Sequence, residues 1–202
     1  AYQLPTSSKS EVNMAKVMTT LRQRLPNNAV ITNGAGNYTV WLHRFFRYRQ
    51  PKTQIAPTSG AMGYAVPAAI ASKIAEPSRT VVSLNGDGCF LMCGQELATA
   101  VQYGVKVIFL VVNNGILGTI RMHQERTFPA RVIGTELRNP DFLAYARSFG
   151  VQAERVTEGK DFQPALERAM VSGESYLIEI VTDAEILTPS ETLSQIRKGS
   201  GA

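Results

Sequence analysis

The chain is poor in the residues that build cross-linked or metal-caged proteins: its 202 residues include two cysteines, two histidines and one tryptophan. Cys89 and Cys93 stand four apart on what reads as one turn and helix start, so they form no disulfide framework, and they are too few for a structural zinc site. Reduced thiols suit a reducing compartment, and a cytoplasmic protein is expected. Long hydrophobic runs are missing too. No stretch approaches the roughly 18–20 apolar residues of a membrane span, and the first residues, AYQLPTSSKSE, lack the apolar core of a secretory signal. Internal repeats, low-complexity blocks and Gly/Ser linkers are also absent, so no internal domain boundary is expected.

Acidic residues are outnumbered, 16 against 21 basic, which gives a net charge of +5. The excess is spread over His43, Arg44, Arg47, Arg49 and Lys52 and again over Arg121, Arg126 and Arg131. Neither stretch carries a nucleic-acid signature. These side chains read as solvated or subunit-facing surface, with neither nucleic acid nor membrane as a partner.

What is present is an alternation of short β-branched runs with helical patterns. Helical spacing over 10–25 places Val12, Ala15, Met18, Leu21 and Leu25 on one face, and Pro26 with Asn27 and Asn28 stops it. A strand follows at 29–32, then the turn Asn33-Gly34-Ala35-Gly36, a helix near 38–46 and an extended piece at 54–56. Residues 62–74 read as a buried helix that tolerates Pro67 in its first turns. The runs 80–84 (TVVSL) and 106–112 (KVIFLVV) are continuously apolar, as in central parallel strands covered on both faces. A helix at 95–103 joins them into a βαβ unit. A loop at 126–136, a helix at 141–149, a strand at 151–155, a helix at 162–170 and a strand at 176–181 complete the pattern. The fold class is α/β, a mainly parallel sheet of about six strands with helices on both faces. Ligands of such sheets bind at the carboxyl ends of the strands, beside the switch in strand order.

Two carboxyl-end segments carry chemistry. Asn85-Gly86-Asp87-Gly88 follows TVVSL, and Asn113-Asn114-Gly115 follows KVIFLVV. If the two strands are close neighbours, Asp87 and Asn114 project from one edge and offer a carboxylate and an amide oxygen, hard donors suited to magnesium. That ion usually completes its coordination with phosphate oxygens and water. Gly86 and Gly88 are expected to permit close backbone approach and unusual dihedrals, with helix-start amides receiving diphosphate charge. Alone, each segment is an ordinary turn.

Taken together, with one helix and one strand between them, they resemble the GDG…NN signature of thiamin diphosphate enzymes. The stretch GDGCFLMCGQELATAVQYGVKVIFLVVNNGILGTI is similar to the C-terminal domain of the acetohydroxyacid synthase and pyruvate oxidase branch. The segment Ser59 to Tyr64 and the loop Gly34 to Tyr38 extend the similarity over about residues 10–185. The resemblance implies that Asp87 and Asn114 hold magnesium through side chains and Ile116 through its backbone carbonyl. It also implies that Gly36, Asn37, Tyr38, Gly60, Gly86, Gly88, Cys89, Leu117 and Gly118 line thiamin diphosphate, with Met62 as the apolar wedge that bends it. Residues 1–202 are then a single diphosphate- and magnesium-binding domain, the C-terminal fragment of a longer enzyme and inactive alone.

By the same resemblance the full-length enzyme decarboxylates a 2-oxo acid and transfers the resulting unit to an acceptor carbonyl, as acetolactate synthases do. The catalytic Glu belongs to a pyrimidine-binding domain of a second subunit, so no catalytic residue is expected in this chain. A homodimer or homotetramer is implied, and FAD in a middle domain stays open. Departures from the branch are Cys89 for the usual Ser, His123 where acetohydroxyacid synthases carry a substrate-contacting Trp, and apolar Ile120 where pyruvate decarboxylases carry a Glu. The alternatives are a simple decarboxylase of benzoylformate or phenylpyruvate type and, outside enzymes, a magnesium- and nucleotide-binding regulatory module. The chain contains no P-loop or GxGxxG fingerprint to support the module.

Overall fold

A computed structural model describes residues 12–199. Ser10, where the first helix was expected to begin, lies outside the described residues. In chain order the elements are α1 (Met14–Arg24), β1 (Val30–Asn33), α2 (Tyr38–Phe45), β2 (Gln54–Ile55), α3 (Ala65–Ala75), β3 (Val81–Gly86), α4 (Asp87–Cys93), α5 (Leu97–Gln102), β4 (Ile108–Asn113), α6 (Gly118–Thr127), α7 (Phe142–Ser148), β5 (Gln152–Val156), α8 (Phe162–Val171), β6 (Tyr176–Val181) and α9 (Leu193–Gly199). The helix starts follow local chemistry. Asn13 caps α1 by accepting from the amides of Ala15 and Lys16, and Asp141 caps α7 through Leu143 and Ala144.

The strands form one six-stranded sheet in the order β2-β1-β3-β4-β6-β5, and every pairing is parallel. Successive residues of the central strands serve opposite faces. Leu110 and Val112 pack with Met18, Leu42 and Leu166 from α1, α2 and α8, whereas Phe109 and Val111 pack with Val66, Phe90 and Phe142 from α3, α4 and α7. This double covering is why TVVSL and KVIFLVV read as unbroken apolar runs. The direction of strand addition reverses between β1 and β3, and that reversal opens a crevice at their carboxyl ends.

The structure corrects several boundaries. The helix expected over 62–74 starts only at Ala65, which leaves Met62 in the preceding loop and puts Pro67 in the first turn, where its missing N–H costs no helical bond. The helix expected over 95–103 is a 3-10 turn at Gly94–Glu96 followed by α5, and a break at Gly94 separates it from α4, which lies before the expected range. At the break, a Cβ on Gly94 would lie 2.9 Å from the Phe90 ring. Helices α6 and α9 were not anticipated. Both are polar and short on periodic apolar residues, so the usual signal is weak there.

Candidate functional site

The crevice at the switch point has a volume of about 220 Å³ and is lined by residues that follow β1, β3 and β4. Every residue that the resemblance assigns to the cofactor or the metal lies on its wall: Gly36, Asn37 and Tyr38 after β1, Gly60 and Met62 before α3, Gly86, Asp87, Gly88 and Cys89 at the end of β3 and the start of α4, and Asn114, Ile116, Leu117 and Gly118 after β4. Strands β3 and β4 are direct neighbours with Gly86 opposite Val112, so the two segments leave the sheet at one level. The wall adds Ala35, Val112, Thr119 and Ile120. Among the described residues no Lys, Arg or His lines it. His123 is exposed on α6, and exposed His43 contacts Gln54, both off the wall.

Asp87 is the first residue of α4, and Gly86 is the residue that caps it. The segment is therefore a strand-to-helix junction rather than a free turn. Asp87 is 3% exposed. Its Oδ1 accepts from the Gly88 amide at 2.9 Å, and its Oδ2 accepts from the Gly115 amide at 2.9 Å and from Asn139 Nδ2 at 2.8 Å. Burial pushes its carboxyl above the ordinary range, and these donors offset that only in part. All of them are neutral. Among the described residues Asp87 has no cationic partner, although a buried carboxylate needs one. Asn114 turns its Oδ1 toward the Ile116 amide at 3.3 Å, and that loop is pinned by the bridge between Ile116 and Glu136. A carboxylate and an amide oxygen on one crevice wall are hard donors that fit magnesium.

For Gly86 and Gly88 the structure removes the expected unusual dihedrals and adds a packing reason. Neither Gly86 nor Gly88 has a positive φ. Their lack of a side chain serves packing: a Cβ on Gly86 would lie 2.9 Å from Tyr38 Cδ1, and one on Gly88 would lie 2.7 Å from Leu117 Cδ2. Gly36 faces the same ring, its Cβ position 2.8 Å from Tyr38 Cε1. Tyr38 is thus a buried plate against the glycine loops, and burial pushes its phenol well above the ordinary range. Beside it the Cys89 thiol donates to the Ala35 carbonyl at 2.9 Å.

Helices α2, α4 and α6 all begin at the crevice, with their positive dipole ends toward it; of their first amides, those of Thr39, Val40 and Gly88 already donate to Gly36, Asn37 and Asp87. Across the opening Thr119 Oγ1 donates to Asn37 Oδ1 at 2.8 Å, tying the starts of α2 and α6. Behind the wall lies a network that sequence reasoning missed. Asn139 and Asn113 stand next to Asp87, and buried Glu179 stands next to Asn113. Of these, Asn113 belongs to a segment the sequence singles out, and Glu179 is marked as a lone carboxylate within the apolar strand YLIEIV. On the outer side of α6, Glu125 is wholly buried and accepts from Arg121 and Arg197.

Comparison with known proteins agrees with this geometry. Residues 34–180 match the family described as thiamine pyrophosphate enzyme, C-terminal TPP binding domain; thiamine pyrophosphate is another name for thiamin diphosphate. The chain is 36% identical over 174 residues to a probable acetolactate synthase large subunit of Methanocaldococcus jannaschii, covering 85% of this chain and 29% of that protein. It is 36% identical over 159 residues to the acetolactate synthase large subunit of Corynebacterium glutamicum, covering 76% and 25%. A solved structure, the thiamine diphosphate-dependent 4-hydroxybenzoylformate decarboxylase of Rhodococcus jostii RHA1, superposes with a TM-score of 0.83 at 25% identity, covering 91% of this chain and 35% of that one. The chain thus spans between a quarter and a third of the length of these two acetolactate synthase relatives. It belongs to the C-terminal TPP-binding domain family of thiamine pyrophosphate enzymes.

Proposed function

We propose that this chain is the diphosphate- and magnesium-binding domain of a longer enzyme that decarboxylates a 2-oxo acid and joins the resulting unit to an acceptor carbonyl. The observation that carries the reading is the charge balance of the crevice. Among the described residues it presents a buried carboxylate, three helix starts and no basic side chain, so a cation is needed to offset the carboxylate when an anionic diphosphate sits beside it. Asp87 and Asn114 hold magnesium through side-chain oxygens and Ile116 through its backbone carbonyl. The amides at the starts of α2, α4 and α6 receive the diphosphate, and Asn37 and Thr119 orient it by hydrogen bonds. Met62, Leu117 and Ile120 supply an apolar wall that excludes water and fixes the cofactor's bend. Thiamin diphosphate, when bound, supplies the electron sink for cleaving and forming bonds next to a carbonyl.

The crevice is smaller than the roughly 300–1,000 Å³ of complete small-molecule pockets, which suits a half-site. The other half belongs to a pyrimidine-binding domain on a second subunit, in a homodimer or homotetramer located in the cytoplasm, and that domain supplies the catalytic carboxylate. No residue here is assigned to FAD.

A second reading, simple decarboxylation, is favoured by the likeness to the 4-hydroxybenzoylformate decarboxylase. Product analysis of the full-length protein separates the two. A coupled product formed from a 2-oxo acid and an acceptor carbonyl supports the first reading, and an aldehyde as the sole product from every 2-oxo acid tested rejects it.

A further inference from the structure

We propose that Glu179 is a positioning residue for the metal-binding wall: it fixes the amide of Asn113, and through Asn113 and Asn139 it fixes the carboxylate of Asp87. This inference rests on the magnesium reading above. Glu179 is 2% exposed on β6, with Arg155 of β5 and Val111 of β4 as its register partners. Its Oε2 accepts from Arg155 Nε at 2.6 Å, and its Oε1 accepts from Asn113 Nδ2 at 2.7 Å. Asn113 lies two residues beyond Val111, on the same face of the sheet as Glu179, within the diagonal reach of neighbouring strands.

The chemistry fixes one orientation. An ionised carboxylate only accepts, so Asn113 must turn its NH2 toward Glu179 and its carbonyl oxygen away. That oxygen accepts from the Gly115 amide at 3.1 Å and from Asn139 Nδ2 at 2.9 Å. The same two donors also reach Asp87 Oδ2, at 2.9 and 2.8 Å. Asn113 and Asp87 therefore share a pair of N–H groups. Were the Asn113 amide to flip, its NH2 would face both donors, and the two groups that aim Asp87 at the crevice would be pushed aside.

Glutamine at position 179 cannot satisfy both neighbours. With its oxygen toward Arg155, its NH2 forces Asn113 to flip; with its oxygen toward Asn113, its NH2 meets the Arg155 N–H. Removing the Arg155 donor resolves the conflict.

The test is calorimetric titration of magnesium into the full-length protein in the presence of thiamin diphosphate, with thermal unfolding as the check on folding. Glu179→Gln should raise the magnesium concentration for half-saturation about 10–100-fold, the usual effect of losing a group that orients a metal ligand. Binding of thiamin diphosphate at saturating magnesium should stay the same. Adding Arg155→Met to Glu179→Gln should recover most of the loss, which general destabilisation would not. Asn139→Ala breaks the same chain at a half-exposed residue and decides the matter if Glu179→Gln fails to fold. It should raise the requirement as well, without rescue by Arg155→Met. An unchanged magnesium requirement in the folded variants, or a rise in Glu179→Gln that Arg155→Met does not reverse, overturns the proposal. If wild-type binding is indifferent to magnesium, the underlying metal reading has failed and this inference falls with it.

Discussion

Arg197 holds Glu125 by two hydrogen bonds, Nε to Oε2 at 2.8 Å and Nη2 to Oε1 at 2.6 Å, and so joins α9 to α6. The Glu125 carboxylate is wholly buried and also takes Arg121 Nε at 3.0 Å and the Ala130 amide at 2.9 Å. The first turn of α6 forms part of the crevice wall, so this cluster anchors the wall from behind. Leu187, in the segment leading to α9, packs where a Cβ on Gly118 would lie 2.9 Å from its Cδ2. Arg197→Met should destabilise the fold by roughly 2 kcal/mol, less than the ~3–5 kcal/mol of a wholly orphaned buried charge because Arg121 remains. Urea unfolding measures it.

The same cluster sets an acid limit. Hydrogen bonds from Arg197 lead the effects that lower the Glu125 carboxyl from its ordinary value to about 2. A depressed folded-state value means the stabilisation is fully present above the unfolded value, near 4.5, and is lost as pH falls from there toward about 2. Stability followed from pH 6 to pH 2 should therefore drop more steeply in the wild type than in Glu125→Gln, and the two curves should converge near the lower end. Parallel curves would show that the carboxylate is not held in this way.

The contact between Tyr38 and Gly86 gives a third test. Gly86→Ala leaves the backbone unstrained but drives a methyl group into the ring, so it should cost about 1–3 kcal/mol of overpacking. Tyr38→Leu should make room, and the double variant should be more stable than the sum of the two single effects predicts. Trp41, the sole tryptophan, lies on α2 with Tyr38, so its fluorescence reports the displacement.

Much of the fold was legible because burial on two faces leaves a simple mark. The continuous apolar runs of β3 and β4 announced central parallel strands, and β6 falls at 176–181 as the pattern placed it. The crevice was legible through Asp87 and Asn114, whose placement follows from two neighbouring strands ending at one level. The supporting network was much less legible. Asn139 precedes a proline in a polar loop, and Glu125 sits among polar residues on α6; nothing local distinguishes either from surface, since Asp87 and Arg197, which hold them in place, lie far along the chain. Glu179 carries a local signal that the sequence reading leaves unused: a carboxylate inside an apolar strand requires a buried partner. The dihedrals expected of Gly86 and Gly88 are absent for a related reason. Sequence marks a glycine but does not say whether backbone freedom or a neighbouring ring demands it.

In the proposed function Asp87 binds thiamin diphosphate through magnesium. Calorimetry of thiamin diphosphate binding to the full-length protein tests it most directly, with and without magnesium, in the wild type and in Asp87→Ala. Binding should require magnesium in the wild type and be lost in Asp87→Ala, while adenine nucleotides with magnesium fail to bind. Undiminished thiamin diphosphate binding without magnesium, or in Asp87→Ala, would contradict it.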